Sequence, residues 1–301
     1  MECFNSFFDI NIKVPTAITI GKFDGIHKGH HALTSELISK KSLGLSSCVI
    51  TFQRSPRFLL SKDATPPLFT NEERKYIFEK NGINYLIISE FNKEFMELDA
   101  TKFIEILCKN LNMKFLVVGD DFTFGYKGNG NVPFLKKASE KYGFELKIIN
   151  KIKKDNKDIS SSSIRDELLK GNIELVNEML GYEYFILGLA LRENCSKNNR
   201  IPPIYIIPPK EKLLPKFGVY FTKILFEGKI YNGTTKIGNN LITNKSNKHW
   251  KNDLQIEIYI QKLNVDLNGK NIQINFINRF KDINNTFYLI NQEGKKEKLG
   301  I

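Results

Sequence analysis

The chain has 301 residues, 41% hydrophobic and 26% charged, which is comfortable for two domains and excludes a disordered, low-hydrophobicity protein. The net charge of +12 is uneven: residues 1–183 hold 26 Lys and Arg against 24 Asp and Glu, whereas residues 184–301 hold 19 against 9. The basic half has only three arginines, Arg192, Arg200 and Arg279, and no basic run interleaved with aromatics. Its excess therefore reads as a Lys-rich solvated face and argues against a nucleic-acid partner. The longest largely apolar run, Tyr184 to Leu191, is far below the ~18 residues of a membrane span. Met1–Ser6 lacks the basic-then-apolar layout of a secretory signal. Cys3, Cys48, Cys108 and Cys195 form no CxxC pair, so neither a zinc site nor a disulfide framework is expected, and a reducing cytoplasmic setting is.

In chain order, short apolar runs bounded by polar residues predict buried parallel strands at Ala17–Ile20, Cys48–Phe52, Tyr85–Ile88, Phe115–Val118 and Leu146–Ile149. Helical spacing lies between them, as in Phe103-Ile104-Leu107-Leu111. This alternation predicts an α/β domain with a parallel sheet covered by helices on both sides, where ligands bind at the carboxyl ends of strands. After Gly181 the pattern becomes β-type, in Gly218–Phe226, Leu254–Leu263 and Ile272–Ile277, with turn signals at Asn232-Gly233 and Asn268-Gly269. A small antiparallel barrel or sandwich is expected there, and the division falls between residues 1–183 and 184–301.

Three of the four histidines lie within five residues, in Gly21-Lys22-Phe23-Asp24-Gly25-Ile26-His27-Lys28-Gly29-His30-His31. This segment follows the first of those strands and opens a helix. A tight turn at Asp24-Gly25 carries His27 and His30 to the strand's carboxyl end, and Gly29 allows close backbone approach to a ligand. Free N–H groups at a helix start attract anions, and imidazoles beside them can donate to phosphate oxygens. The arrangement suits charge stabilisation when a nucleoside triphosphate is attacked at its α-phosphorus. Zinc binding by two histidines lacks a nearby Cys or Glu to complete it, and simple helix capping is the bland alternative.

HxGH in a strand-turn-helix setting resembles the signature of nucleotidylyltransferases. The longer stretch Ile18–His30 resembles the first motif of bacterial FAD synthetases, the FMN adenylyltransferase half of bifunctional riboflavin kinase/FAD synthetases, with Lys22 where the family has asparagine. Val117–Gly125 is similar to the family's V-G-x-D-F-R-F-G, with Thr123 for arginine, and runs into a flexible glycine-rich Lys127-Gly128-Asn129-Gly130. Ile159–Arg165 resembles I-S-S-T-x-I-R, with Ser162 for threonine, while Thr51–Pro56 matches T-F-x-x-x-P loosely. The resemblance implies a Rossmann-like nucleotidylyltransferase domain that transfers AMP from ATP, carrying Mg2+, to FMN, with release of pyrophosphate. It implies His27, His30 and Arg165 as catalytic and Gly21, Phe23, Asp24, Gly29, Ser161 and Ser162 as ATP-binding. Asp121, Phe122, Phe124, Gly125 and Asn129 would bind flavin. No residue is expected to ligate a resident metal.

The second half resembles the family's β-barrel riboflavin kinase in patches: Lys212–Tyr220, Tyr231–Gly238, and Glu257–Lys270, where Glu257 falls on the family's catalytic carboxylate. Its phosphate motif does not fit. Pro203 matches, but Ile204 and Ile206 stand for the threonine and asparagine that would bind the magnesium nucleotide, and no glycine lies between Gly188 and Gly218. The tail after Phe280 is short for the family's flavin-covering helix. The expectation is a barrel with weak or no kinase chemistry; a working kinase with a shifted loop is the alternative. A different adenylyl- or cytidylyltransferase, or a non-enzymatic flavin-binding protein, is argued against by the flavin-loop segment and by the intact His27, His30 and Arg165.

Overall fold

The computed structural model describes residues 1–53, 66–154, 157–192, 204–209, 211–239, 254–260 and 265–280, and the backbone of three short strands beyond them. Arg54-Ser55-Pro56, Cys195 and the Glu193–Pro203 stretch lie outside the described residues. Two compact units emerge, Met1–Ser161 and Ser162–Ile301, a division earlier in the chain than the change of sequence pattern at 183/184.

In the first unit, β1 (Glu2–Phe4), β2 (Thr16–Ile20), β3 (Ser46–Phe52), β4 (Tyr85–Ser89), β5 (Met113–Gly119) and β6 (Glu145–Ile149) form one sheet in the order β1-β4-β3-β2-β5-β6. Every pairing is parallel, and two short strands that follow, β7 (Lys153–Lys154) and β8 (Lys157–Asp158), form a separate antiparallel pair. All five residues of β2 are buried, as a central strand covered on both faces requires. β1 escapes the sequence pattern because its three residues at a sheet edge, two exposed and one half-buried, carry no apolar run.

The helices are α1 (Lys28–Ser39), α2 (Asn71–Lys80), α3 (Lys93–Met96), α4 (Ala100–Asn110) and α5 (Val132–Tyr142). Asp99 caps α4 by accepting from Thr101 N at 2.8 Å, and the helix turns Phe103, Ile104 and Leu107 into the core. That core is aromatic: the Phe7 ring lies 5.3 Å from Phe103, and Phe103 lies 5.0 Å from Phe124. The chain winds from β2 outward through β3 to β4, then returns to place β5 on the other side of β2. A topological switch point therefore lies at the carboxyl ends of β2 and β5, where such sheets bind ligands.

The second unit opens on α6 (Ser161–Lys170), which starts at the last residue of the first, and α7 (Ile173–Leu180). β9 (Phe185–Arg192), β10 (Ile204–Ile207), β11 (Gly218–Phe226), β12 (Lys229–Asn239), β13 (Leu254–Ile260) and β14 (Asn271–Arg279) close into an antiparallel barrel ordered β10-β13-β12-β11-β14-β9. Polar contacts tie both helices to this barrel. Asn177 on α7 donates to Phe276 O at 2.8 Å and accepts from Tyr184 N at 2.7 Å, and Lys216 N donates to Leu168 O of α6 at 3.2 Å. Periodicity reports a helix but not the neighbour it packs on, which is why the compact unit begins before the change in pattern.

The turn expected at Asn232-Gly233 is not a turn. Both residues lie within β12, and the hairpin closes at Glu227-Gly228, whose φ values are 46° and 75°. Gly233 is needed for space: a Cβ there would sit 2.7 Å from Ile224 Cδ1 and 3.0 Å from Tyr259 O, so the residue lets the barrel wall close. Asn268-Gly269 does turn, with Gly269 at φ 70°. Beyond Phe280, Asp282–Ile283, Thr286–Ile290 and Lys296–Lys298 form a three-stranded antiparallel sheet. Among the described residues no helix is long and apolar enough to cross a membrane.

Candidate active site

The segment after β2 turns sharply into α1, and the left-handed residues are Phe23 (φ 43°) and Ile26 (φ 40°), both fully buried. Such conformations cost a non-glycine residue on the order of 1–2 kcal/mol and persist only where the surroundings impose them. Gly21, Gly25 and Gly29 serve close packing. A Cβ on Gly21 would meet the Phe23 ring at 3.0 Å, and one on Gly25 would meet Leu68 Cδ1 at 3.0 Å and Ser161 Oγ at 3.4 Å. The close approach expected of a ligand at Gly29 is made by protein: a Cβ there would lie 3.1 Å from Cε1 and Nδ1 of His27. The missing side chain lets the His27 ring fold back over the helix start. Asp24 fastens the turn to the next segment by accepting from Leu68 N at 2.9 Å.

His27 occupies the N-cap position of α1 yet makes no side-chain capping bond. Its ring instead stacks on His30, with centroids 3.9 Å apart and planes at 22°. Phe23 lies 4.7 Å from His30 and 5.5 Å from Phe78. Its fully buried side chain thus supports a histidine from below and faces no open space. Burial, reinforced by neighbouring His31, lowers the His27 pKa to about 4. Burial, with His27 and His31 beside it, holds His30 well below the usual histidine range. Both rings are therefore neutral at pH 7, each with one N–H donor and one acceptor nitrogen. The Nδ1 atoms of both are buried and have no partner among the described residues. Two neutral imidazoles with unused polar atoms, stacked at a helix N-terminus on the switch point, form a site for an anionic group that enters and takes hydrogen bonds.

Arg74 on α2 went unnoticed in the sequence. It is 4% exposed, and its guanidinium donates through Nη1 to Lys22 O (3.1 Å) and Thr51 Oγ1 (3.0 Å), and through Nη2 to Phe52 O (2.7 Å), Gln53 O (3.3 Å) and Asn71 Oδ1. Thr51 in turn donates to Lys22 O at 3.0 Å. Burial lowers the Arg74 pKa to about 10, with the Asp24 charge opposing, so the group stays cationic at neutral pH. The backbone of Lys22, the departure from the family's asparagine, is thus pinned and only its side chain differs. The one signal for α2 in sequence was its capping box, in which Thr70 accepts from Glu73 N and Glu73 from Thr70 N.

The loop after β5 borders the same switch point. Phe122 and Phe124 stack at 5.5 Å and 19°, but Phe124 is buried against Phe103 and Phe134, so its ring is used by the core. Gly125 has φ 74°, and a Cβ on it would lie 2.9 Å from Ala100 Cα; one on Gly130 would lie 2.5 Å from the Phe124 ring. The stretch expected to be flexible is a closed turn. Phe124 and Gly130 exchange backbone hydrogen bonds of 3.0 and 2.9 Å around a 3-10 turn at Tyr126–Gly128. Asn129 is exposed, and exposed Asp121 pairs with Lys151 at 2.8 Å.

Ser161 ends the first unit beside Gly25, while Ser162 (exposed) and Arg165 (half-buried) lie one and four residues further along α6, in the second unit. In the barrel, Ile204 and Ile206 of β10 are buried, and a Cβ on Gly188 would lie 2.4 Å from Ile206 Cγ2. Glu257 pairs in register with Tyr205, between them, so it faces the opposite side of the wall. Tyr259 donates to Glu257 at 3.1 Å, and burial followed by the Glu257 charge raises the Tyr259 pKa to about 12.

Comparison with known proteins agrees with this geometry. The family model described as FAD synthetase matches residues 9–163, and that described as riboflavin kinase matches residues 180–289. A bifunctional riboflavin kinase/FMN adenylyltransferase of Buchnera aphidicola (subsp. Acyrthosiphon pisum) is 35% identical over 89% of this chain and 85% of its own. Its counterpart in Escherichia coli (strain K12) is 31% identical over 85% and 82%. A solved structure titled macrolide-efflux protein, from Streptococcus pneumoniae, shares the fold, with a TM-score of 0.78 and 24% identity over 93% of this chain and 91% of that one.

Proposed function

The chain belongs to the bifunctional riboflavin kinase/FMN adenylyltransferase family, and we propose that its histidine site transfers AMP from ATP to FMN. A phosphate oxygen of FMN attacks the α-phosphorus in line, forming the new P–O bond. The bond from that phosphorus to the bridging oxygen breaks, and pyrophosphate leaves with the electron pair. No side-chain nucleophile is needed, so rate comes from alignment and from donors aimed at developing charge. Mg2+ enters with the triphosphate as part of the substrate.

The observation that carries this reading is the stacked His27–His30 pair with its two unpartnered Nδ1 atoms. In the proposal His27 and His30 serve the phosphates around the transferring group, while Gly21 and Gly29 make room for the Phe23 and His27 rings and Phe23 and Asp24 shape the turn. By resemblance Ser161, Ser162 and Arg165 hold the β/γ end, and Asp121, Phe122 and Asn129 meet the flavin, with Phe124 and Gly125 setting their loop. The adenylyltransferase part runs functionally through residue 183. Chromatography of products from FMN, ATP and magnesium tests the reading: the parent should form FAD and His30→Ala should not do so at the parental rate.

For the barrel we infer that kinase chemistry is weak or lost. Its support is the pair of buried isoleucines at the two phosphate-motif positions, whose side chains offer neither donor nor acceptor, and a Glu257 that shares no face with them. Riboflavin in place of FMN tests this directly, since FMN appearing at a turnover comparable to FAD formation would restore the bifunctional reading. Its substrates would be cytoplasmic small molecules in either case.

A further inference from the structure

We propose that Arg74 is a positioning residue for adenylyl transfer, holding the left-handed turn that presents His27 and His30; this rests on the reading above. Helix α2 presents two side chains on one face, at i and i+4, and they grip consecutive residues of the turn. Arg74 binds the Lys22 carbonyl at 3.1 Å, while Phe78 packs on the Phe23 ring at 5.5 Å. The other face of Phe23's surroundings is His30, 4.7 Å away, which stacks in turn on His27 at 3.9 Å. A chain of direct contacts thus runs from the guanidinium through Lys22 and Phe23 to both imidazoles.

The same guanidinium joins the ends of two strands. Its acceptors include Lys22 O just beyond β2 and Thr51, Phe52 and Gln53 at the end of β3, while Asn71 belongs to its own helix. The two Nη groups share five acceptors, while Nε is buried with no partner among the described residues, and a lysine ammonium with three donors cannot reach all five. A strained peptide after Lys22 needs such over-determination, because Phe23 relaxing out of φ 43° would carry its ring from under His30. Arg74 itself has no open approach to a substrate, being 4% exposed, so it acts through the turn.

Full-length Arg74→Met and Arg74→Lys are compared with the parent in FAD formation from FMN and magnesium ATP, with thermal melts and imidazole NMR spectra. The expected result for a folded Arg74→Met protein is kcat lower by about 10- to 100-fold, with KM for ATP and FMN within twofold. Arg74→Lys should recover part of that loss, and the His27 and His30 ring signals should move in both variants. A folded Arg74→Met protein with parental kcat, a loss confined to KM, or unmoved imidazole signals overturns the proposal. If Arg74→Met does not fold, Thr51→Val gives the reading, since it removes the hydroxyl joining Arg74 to the Lys22 carbonyl; a several-fold fall in kcat supports the proposal and parental kcat overturns it. A parent that makes no FAD defeats the functional reading instead, while the NMR response still reports on the turn.

Discussion

The turn after β2 and the wall of the barrel treat polar groups in opposite ways. At the turn a buried His27 and a half-buried His30 are stacked, their Nδ1 atoms have no partner among the described residues, and two non-glycine residues are held at positive φ. In the barrel, Ile204 and Ile206 are buried, and a Cβ on Gly188 would lie 2.4 Å from Ile206 Cγ2, so the wall is filled by apolar side chains there. Strain and unsatisfied donors persist where a ligand can repay them, and hydrophobic packing prevails where a wall presents no such groups.

The largest expected effect follows from removing the first region's chemistry. His30→Ala should lower kcat for FAD formation by roughly thirty- to a thousand-fold, equivalent to about 2–4 kcal/mol of barrier, read by product chromatography on folded protein. If the rate were unchanged, the contrast between the histidine turn and the apolar barrel wall would lose its functional meaning.

Acid should also separate the regions. The native state keeps His27 neutral down to about pH 4, whereas the unfolded chain protonates it near 6.5, so the unfolded state binds more protons between these values. Stability is therefore full above pH 6.5 and falls as pH drops toward 4, by about 3 kcal/mol from His27 alone. Denaturant melts of the parent at pH 5 and pH 7.5 should show this slope, and His27→Gln should make it shallower, the remainder coming from His30.

Ile206→Asn tests the barrel by putting an amide back among apolar side chains. It should destabilise the second unit by roughly 1–3 kcal/mol and leave FAD formation intact, as seen by melting and activity together. Appearance of FMN from riboflavin in this variant would mean that one contact separates the barrel from kinase activity. Smallest of all, Thr70→Ala removes one half of the α2 capping box and should cost about 1 kcal/mol in a thermal melt.

Much of the α/β unit was legible because its signals are local. Four buried strands, the α4 stripe and the helix opened by the histidine segment follow from runs and spacings within a dozen residues; the fifth run, expected to be buried, forms β6 at the sheet edge, where none of its residues is buried. Asn232-Gly233 misled for a related reason: the pair fits a tight turn, but Gly233 is required by Ile224 and Tyr259, which lie on neighbouring strands. Phe122 and Phe124 likewise alternate in sequence, and contacts with Phe103 and Phe134 assign Phe124 to the core.

Composition, period and motif spacing were enough to define the two architectures, the strand-turn-helix that carries the histidines and the family. They could not reveal Arg74, whose partners at Lys22, Thr51, Phe52 and Gln53 lie 21 to 52 residues away in the chain. Nor could they show that the His27 ring fills the space over Gly29, or that α6 and α7 pack with the barrel. Hydrogen bonds and side-chain packing act over a few ångströms in space, and distance along the sequence does not encode them.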